Sequence, residues 1–341
     1  MNCSKDGFTT MKQKKGAFIV WRTFQRRAEV LAPYLDLEIC YFYYPWEEKS
    51  KILKALSYFP KSFRTLKYLF RKKPALVFIQ FPPTPALYCI ALYSWLTGSR
   101  YVADCHITIG NDYWLKWIYA KKLLLKEKMI VHNDHIIEHV IRSMNVKPIV
   151  VRDGIAKRPS VDVRKSPLLE GLGLSPKSYV IFPCSFSLDE PLKEVIEAAR
   201  LLPEIMFVMT WNFERLSRTA RNSLPSNILL TGYLQIDDFN HLFANAGVAL
   251  VLTKEEAIQL SGVQEAMAFE IPAVVTDLQT TRFLYKEYPV YVRNEPKSIA
   301  DGVKYAFQNR LDLEEKMKSL RIETEKEFFD QIVNLKASLN L

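Results

Sequence analysis

The residues best suited to chemistry in this sequence are Ser261, Gly262 and Glu265, in the segment QLSGVQEAMAFEIPAVVTD (259–277). A serine and a glycine at the start of a helix leave backbone N–H groups open, and the helix dipole makes that end attractive to an anion. A glutamate one turn further in could accept hydrogen bonds from hydroxyl groups attached to that anion. A nucleoside diphosphate has both parts, with phosphates for the amides and a ribose for the carboxylate. The segment therefore predicts a nucleotide site; a solvent-facing glutamate on an ordinary helix is the alternative.

A second candidate pair is Asp104 and His106, which follow an apolar run in the segment RYVADCH. Alternate side chains of an extended backbone point to the same side, so these two polar groups could act together. The histidine could contact the group that is transferred or the leaving phosphate, and the aspartate could serve as a general base. A histidine that is hydrogen-bonded inside a loop explains the same residues without catalysis.

Cations that could bind a phosphate occur at two further places. Arg22, Arg26 and Arg27 belong to WRTFQRRAEVLAPYL, where helical spacing puts Arg22 and Arg26 on one face. Lys254 ends the apolar run VALVLTK. Each cation could contact a donor or an acceptor phosphate. A solvated basic surface is the alternative, and we favour it for Arg27.

The segment HNDHIIEH contains His135, Glu138 and His139 at the spacing of the inverted zinc-protease motif. Two histidines four residues apart share a helix face and could bind zinc. A third ligand is not evident, and Asn133 with Asp134 can equally cap a helix that follows a strand. A zinc protease is therefore a remote alternative, and we expect no bound metal.

The elements that must position these candidates alternate along the whole chain. Short apolar runs are each followed by a segment with the periodicity of a helix. That alternation is typical of parallel βα units. It predicts strands at 17–21, 37–43, 75–81, 100–104, 128–132, 148–152, 179–184, 205–210, 227–231, 248–253, 273–276 and 290–293. The loop-like stretch 155–177 divides them into two sets. We therefore expect an α/β protein with two doubly wound Rossmann-like domains facing a cleft, and ligands beyond the carboxyl ends of the strands.

Length and composition agree with two globular domains. A chain of 341 residues is too long for one ordinary core, and 49% hydrophobic with 25% charged residues is typical of folded proteins. We place an acceptor-side domain at 1–160, a donor-binding domain at 161–310 and a helical segment at 311–341. Five scattered cysteines argue against a disulfide framework. Residues 1–15 are polar and Lys-rich without a secretory leader, so a cytoplasmic location is expected.

The uncharged run at 75–96 is long enough to span a bilayer. Its Pro82-Pro83-Thr84-Pro85 break instead favours a strand, a tight turn and a buried helix.

The net charge of +10 arises in one part of the chain. Between Lys49 and Ala103 there are ten cations and no acid, which equals the excess of 47 basic over 37 acidic residues. Residues 49–73 mix these cations with Leu, Ile, Phe and Tyr, a pattern typical of an amphipathic segment on an anionic membrane. A helix with its apolar side in the core is the alternative. We expect peripheral membrane association, and no nucleic-acid partner because no recognisable nucleic-acid module is present.

Several motifs resemble those of known enzymes. TGYLQIDDFNHLFANAGVALVLT (231–253) and EAMAFEIPAVVTD (265–277) are similar to GT-B glycosyltransferases, in particular the large retaining nucleotide-sugar family, family 4. QFPPTP, YVADCH, VHN and VVRDGI are similar to that family's strand ends. QFPPTP, the Asp-x-His pair and SFSLDEP are also similar, more weakly, to the mannosyltransferase that acts on lipid-linked chitobiose. The resemblance implies hexosyl transfer from a nucleoside-diphosphate sugar, without a further cofactor, to an acceptor such as a lipid-linked saccharide in polysaccharide or glycoconjugate synthesis.

The resemblance also implies roles for individual residues. Glu265 would hold the ribose hydroxyls, and the amides up to Val263 would face the diphosphate. The main chain of Tyr233 and Leu234 would contact the base. Asp104 and His106 would lie on the acceptor side.

The chain departs from the family at two places. The family has an arginine and a lysine after the first strand of the second domain, where this chain has Ser185 and Glu190. The carboxylate expected eight residues before the family glutamate is replaced by Ala257, with Glu255 and Glu256 displaced. A catalytically inactive relative that acts as the partner subunit of another transferase is therefore a second hypothesis.

Overall fold

The computed structural model describes residues 16–105, 112–132, 134–155, 167–184, 188–210, 223–256 and 258–341. These residues form two parallel six-stranded sheets, so the α/β fold class is confirmed. Each predicted strand is present, with ends that differ from the predicted ones by a few residues at most. The chain divides into two compact units, one of residues up to Gly154 with Glu327–Leu341, the other of Ile155–Lys326.

The first unit contains the sheet with strand order β2-β1-β3-β4-β5-β6. Its strands are nearly continuous apolar runs, as expected for a parallel sheet covered on both faces. They are β1 (Gly16–Val20), β2 (Leu37–Tyr41), β3 (Leu76–Phe81), β4 (Arg100–Cys105), β5 (Lys128–Val131) and β6 (Ile149–Val150). The order reverses between β1 and β3, which makes the carboxyl ends of these two strands the switch point of the sheet.

The helices of the first unit follow its strands in sequence. They are α1 (Arg26–Tyr34), a 3₁₀ turn (Pro45–Lys49), α2 (Lys51–Lys72), α3 (Thr84–Thr97), α4 (Asp112–Leu115), α5 (Ala120–Lys126) and α6 (His135–Met144). Ala17 and Ile19 of β1 pack in the core that includes α2, α3, α5 and α6. Phe18 and Val20 point to the other face and pack with α1.

The second unit contains the sheet with strand order β12-β11-β10-β7-β8-β9. Its strands are β7 (Tyr179–Phe182), β8 (Met206–Met209), β9 (Ile228–Leu230), β10 (Val248–Val251), β11 (Ala273–Thr276) and β12 (Val290–Val292). Counted within the unit, this is the 3-2-1-4-5-6 order of dinucleotide-binding folds, with its switch point between β7 and β10.

The described helices of the second unit flank this sheet on both faces. They are α7 (Pro167–Gly171), α8 (Leu192–Leu201), α9 (Ile236–Asn245), α10 (Ser261–Phe269), α11 (Gln279–Tyr285) and α12 (Pro296–Gln308). One core packs α9 and α10 against the sheet, and the other packs α8 and α12 against its opposite side.

The last helix, α13 (Arg310–Leu339), confirms the helix predicted at 311–341. It does not form a segment of its own, because its residues are divided between the two units at Lys326 and Glu327. In the first unit its Phe328, Ile332 and Leu335 are buried in the core that contains Phe18. The predicted boundaries at 160 and 310 stay predictions.

The apolar run at 75–96 forms β3 and α3, which confirms the strand and buried helix predicted there. In the described part of the chain, no helix is both long and apolar enough to cross a membrane.

Candidate functional site

The start of α10 lies at the switch point of the second sheet, and Gly262 is the residue that allows it. A Cβ atom at Gly262 would lie 2.9 Å from Cγ1 of Val251 at the end of β10 and 3.1 Å from Cγ of Pro183, which follows β7. These distances are shorter than ordinary van der Waals contact, so any larger residue would push the helix away from both strand ends. The glycine therefore sets the distance between the start of α10 and the strand pair where doubly wound sheets bind nucleotides.

Glu265 lies one turn inside α10 and is 6% exposed. The alternative of a solvent-facing glutamate is therefore wrong. A carboxylate so close to a helix start, and removed from bulk water, can accept strong hydrogen bonds from a hydroxylated ligand. Ser261 is exposed at the first position of the helix.

The amide of Val263 is not open as predicted. Its N–H donates to the carbonyl oxygen of Leu260 at 3.1 Å, a local bond that tightens the first turn. This amide is therefore paired within the first turn, and a contact of Val263 with a diphosphate stays a prediction.

A neutral hydrogen-bond network joins the ends of β10, β11 and β12. The N–H of Thr253 donates to Oγ1 of Thr276 at 3.1 Å, and that hydroxyl donates to Oδ1 of Asn294 at 3.0 Å. The amide group of Asn294 donates back to the carbonyl oxygen of Thr253 at 2.9 Å. Sequence reasoning missed this network, although one threonine lies two residues after β10 and another ends β11.

The segment after β7 is tied to the same strand ends by Asp189. Its carboxylate accepts from the hydroxyl of Thr253 at 3.0 Å, and its carbonyl oxygen accepts from the N–H of Lys254 at 2.7 Å. The side chain of Lys254 is exposed next to these bonds, which leaves its ammonium group accessible to an anion.

Glu256 has a structural role. Its carboxylate accepts from the N–H groups of Gln279 and Thr280 at 3.0 Å each and from the Thr280 hydroxyl at 2.7 Å. A carboxylate at this position satisfies the open amides of α11 and matches the positive end of its dipole.

Tyr233 and Leu234 lie in the loop between β9 and α9. Gly232 before them has φ +75°, a left-handed conformation that favours glycine and directs the loop outward. Tyr233 is exposed and Leu234 is half-buried against the core. Whether their main chain contacts a base stays a prediction.

The first unit carries a buried charge cluster, which we define as Arg27, Asp104, His132 and Asp153. The Nε–H of Arg27 lies 2.9 Å and 3.0 Å from the two carboxylate oxygens of Asp104, and its Nη1 donates to Asp153 at 2.8 Å. The residues come from α1, from β4 and from positions that follow β5 and β6. They thus gather near the carboxyl ends of strands that are far apart in sequence.

This geometry corrects two expectations. Arg27 was expected on a solvated surface but is buried, because its partners Asp104 and Asp153 compensate its charge. Asp104 is 0% exposed and both its oxygens face Arg27, so it cannot take a proton from a substrate in this state. Asp153, with 27% of its side chain exposed, is the carboxylate of the cluster that water reaches.

In this cluster, burial and neighbouring charges shift the pKa of Arg27 in opposite directions. Burial alone would lower the pKa of Arg27, but the neighbouring Asp104 and Asp153 outweigh it and raise that pKa. Burial lowers the pKa of His132 from its ordinary value, so this imidazole is neutral near pH 7. Its Nδ1 lies 3.5 Å from the carbonyl oxygen of Cys105. The cluster then carries one positive and two negative charges beside a neutral histidine.

The other predicted cations of the first unit lie outside this cluster. Arg22 is exposed two residues after the end of β1. Arg26 starts α1 and is partly buried, and burial lowers the pKa of its guanidinium. Helix α1 begins after Arg22, so the two arginines do not share a helix face as predicted.

Several predicted site residues lie outside the described part of the chain. They are His106 and Ser185, and also Asn133 and Ala257. Helix α6 is present where the zinc motif was read, but the side chains of its motif residues are not described. Among the described residues, no group of three histidines, cysteines or acids could hold a metal ion.

Helix α2 places several polar side chains in the core, beside the buried Leu69. Its buried positions include Ser57, Lys61 and Thr65. The ammonium group of Lys61 lies 2.7 Å and 2.6 Å from the two oxygens of the buried Glu47, and the Thr65 hydroxyl accepts from the indole of Trp21 at 3.0 Å. Burial lowers the pKa of Lys61, and the Glu47 carboxylate opposes this shift.

The outer side of the same helix is apolar. We call this side the apolar face of α2, formed by Ile52, Leu56, Phe59, Phe63 and Phe70, each exposed and Phe59 by 85%. The first four follow the three- and four-residue spacing of one helix face. The core packing predicted as an alternative for this segment engages Leu69 and, in part, Tyr58, Leu66 and Tyr68. It leaves the apolar face of α2 exposed.

The fold resembles those of several solved structures, although no protein-family model and no curated protein sequence matches this chain. A glycosyltransferase from Rickettsia africae ESF-5 aligns with a TM-score of 0.68 at 14% identity, covering 96% of this chain and 98% of that one. Anabaena HepE in complex with UDP and glucose aligns with a TM-score of 0.69 at 12% identity, covering 96% and 99%. Sucrose-phosphate synthase from Thermosynechococcus elongatus aligns with a TM-score of 0.58 at 12% identity, covering 82% and 77%. The chain therefore has the two Rossmann-like units of the GT-B fold.

Proposed function

We propose that this protein is a glycosyltransferase that takes a sugar from a nucleoside diphosphate. The observation that carries the proposal is the close approach of Gly262 to Val251 and Pro183 at the switch point, with the buried Glu265 one turn inside. Doubly wound sheets bind nucleotides at this position. The likeness in fold to HepE in complex with UDP and glucose supports the same assignment. UDP is therefore the first diphosphate to test.

On the donor side, the amides at Ser261 and Gly262 would receive the diphosphate, and Glu265 would accept hydrogen bonds from the ribose. Lys254, which is exposed beside the same strand ends, would supply a cation in place of the family pair, and Ser185 would be a further donor-binding residue. Amides and a cation that are already in place stabilise the charge of a leaving diphosphate without a bound metal. The main chain of Tyr233 and Leu234 would hold the base.

On the acceptor side, Arg22 and Arg26 would contact a phosphate, and His106 would contact the transferred sugar. Asp104 would act as a positioning residue through Arg27, because its carboxylate is fully buried. Asp153 accepts from the same arginine and is partly exposed. We assign the role of general base to Asp153, which sequence reasoning did not single out.

The donor proposal is tested by thermal unfolding with a panel of nucleoside mono- and diphosphates. A ligand at a hundred times its dissociation constant adds about 2.7 kcal/mol to the free energy of unfolding. UDP is expected to give the largest shift. Glu265→Gln should lower the affinity for UDP roughly ten- to a hundredfold, because a hydrogen bond to a charged group is worth about 1.5–3 kcal/mol.

Glu255→Gln is the matched control, since Glu255 is exposed and should leave UDP affinity unchanged. Equal losses in the two variants would contradict the assignment of Glu265. Absence of a shift with any diphosphate, together with no sugar transfer or donor hydrolysis, would favour the inactive partner subunit.

We also propose that the first unit works at an anionic membrane surface, on the cytoplasmic side. The support is the apolar face of α2 and the cations on the same helix, among them the exposed Lys51, Lys54 and Lys67. A helix with exposed apolar residues flanked by cations is suited to the interface of an anionic bilayer.

Sedimentation with phosphatidylcholine–phosphatidylglycerol vesicles tests this surface. Phe59→Ser with Phe63→Ser should abolish binding, because burial of each phenylalanine contributes about 1.5–3 kcal/mol. The matched control is Phe283→Ser with Leu311→Ser, two exposed apolar residues of the second unit. Equal binding by both double variants would disprove the role of α2.

A further inference from the structure

A second apolar feature of the first unit is a groove of about 920 Å³ on the side of α5. Its walls include Tyr88 of α3, Trp117 and Ile118 of the loop before α5, and Leu123 of α5 itself. The volume lies in the upper part of the range of about 300–1,000 Å³ that is typical of small-molecule sites. A groove of this size can receive a hydrocarbon chain.

The walls of the groove are held in place by specific contacts. The hydroxyl of Tyr88 donates to the carbonyl oxygen of Ile118 at 2.5 Å, which fixes the loop before α5 to α3. The ring of Trp117 lies 6.4 Å from that of Tyr88 and stacks on Trp114 at 6.0 Å. These contacts between α3 and the loop before α5 thus hold the apolar walls of the groove in place.

One side of the groove is positively charged. Lys122 and Lys126 both line it, four residues apart on the same face of α5. No acid is among the lining residues, and neither lysine forms an ion pair with a residue in the described part of the chain. Apolar walls beside two unpaired cations complement a molecule that has a hydrocarbon chain and an anionic head.

A series of aromatic contacts runs from α2 to the groove. Trp114 contacts the ring of Tyr58 at 6.4 Å, and Tyr58 lies on α2. Aromatic contacts therefore connect α2 through Trp114 and Trp117 to Tyr88 in the groove wall.

We propose that this groove binds the chain and phosphate of a lipid phosphate, the part that anchors the acceptor. The hydrocarbon chain would lie against Tyr88, Trp117, Ile118 and Leu123, and the phosphate would lie between Lys122 and Lys126. This inference rests on the proposed transferase function, because it names the class of acceptor as a lipid phosphate.

The test uses the full chain and phosphatidylcholine vesicles that contain a small fraction of hexadecyl phosphate. Vesicles with phosphatidylglycerol at equal surface charge are the comparison, and free inorganic phosphate is a third probe. We expect a clear preference for hexadecyl phosphate over phosphatidylglycerol. Lys122→Ala with Lys126→Ala should remove a preference of roughly tenfold or more, since a hydrogen bond to a charged group is worth about 1.5–3 kcal/mol and only the phosphate in the groove receives it.

Lys51→Ala with Lys54→Ala on α2 is the matched control. It should weaken binding to both kinds of vesicle and keep the preference. Ile118→Asp is a second variant, which should remove the preference by placing a charge in the groove. Equal binding of both vesicle types by the wild type, or an unchanged preference without Lys122 and Lys126, would overturn the inference. Inorganic phosphate that competes as well as the lipid phosphate would also overturn it.

UDP binding, measured on the same samples, separates this inference from the donor proposal. A protein that binds UDP but shows no lipid preference would refute the groove alone. A protein that shows the lipid preference but binds no nucleotide would refute the transferase and keep the groove.

Discussion

The two sheets carry different kinds of side chains at the carboxyl ends of their strands. In the first unit, Arg27 and Asp104 are buried ions paired with each other. In the second unit, Thr253, Thr276 and Asn294 connect the strand ends through neutral hydrogen bonds. Both edges follow the same parallel architecture, so the difference comes from the side chains alone.

This difference between buried ions and neutral hydrogen bonds indicates how the carboxyl edge of each sheet can respond to a ligand. Buried ions hold each other firmly, because removing one partner leaves an uncompensated charge in the interior. Neutral hydroxyl and amide groups lose less when a partner is removed. A fixed cluster suits the orientation of reacting groups in the first unit. At the edge of the second unit, the exposed Lys254 and the Asp189 carboxylate that accepts from Thr253 lie beside the neutral bonds, so their opposite charges leave little net charge there before an anionic ligand binds.

The largest effect is expected for Arg27→Met, which tests the contribution of the buried ions in the first unit. The substitution leaves Asp104 buried without its partner and should lower the free energy of unfolding by about 3–5 kcal/mol. Hydrogen exchange should become faster in β4 and stay unchanged in β10. Urea denaturation gives the size of the loss.

Arg27→Met with Asp104→Leu is the control for this variant. It removes both charges and should recover most of the lost stability, because an apolar pair can replace a buried ion pair. A single variant that costs under about 1 kcal/mol, the range of an exposed pair, would show that the cluster is not buried in solution.

Thr276→Val is the corresponding change in the second unit. It removes the acceptor of the Thr253 N–H and the donor to Asn294, with an expected loss of about 1–3 kcal/mol. Urea denaturation followed through the second unit measures it. A loss as large as that of Arg27→Met would contradict the contrast between the edges, and Thr276→Ser, which keeps the hydroxyl, should cost less.

The smallest effect concerns pH. Burial lowers the pKa of His132 below its ordinary value of 6.5, so the unfolded chain takes up a proton more readily than the folded one. Stability of the first unit should therefore fall as pH drops below 6.5, and the loss is complete only below the folded-state pKa.

Urea midpoints between about pH 7.5 and about pH 5.5 test the role of this histidine. His132→Gln should reduce the slope of stability against pH. His241→Gln in the second unit is the matched control and should leave the slope of the first unit unchanged. If both variants keep the wild-type slope, another group causes the pH dependence.

The sequence was sufficient to predict the strands and the fold class. The strands of a parallel sheet are apolar on both faces, and such runs are visible without knowledge of their neighbours. Gly262 and Glu265 could also be singled out, because the spacing of a helix start is local. Partners that lie far apart in sequence could not: Arg27 and Asp104 are separated by 77 positions.

The orientation of α2 was also beyond the sequence. Its periodic pattern gives one apolar and one polar face but does not specify which face packs on the sheet. Lys61 would be expected in solvent, and only the nearby Glu47 and the carbonyl oxygen of Trp21 explain its burial. The choice depends on partners that the periodicity does not include.

The division of α13 has a consequence for the order in which the protein can fold during translation. The core of the first unit includes Phe328, Ile332, Leu335 and Leu339, which the ribosome adds after the whole of the second unit. The core of the first unit is therefore completed only after the second unit has been synthesised, and until then one side of its sheet is incompletely covered. The second unit can reach its native state first, although it comes later in the sequence.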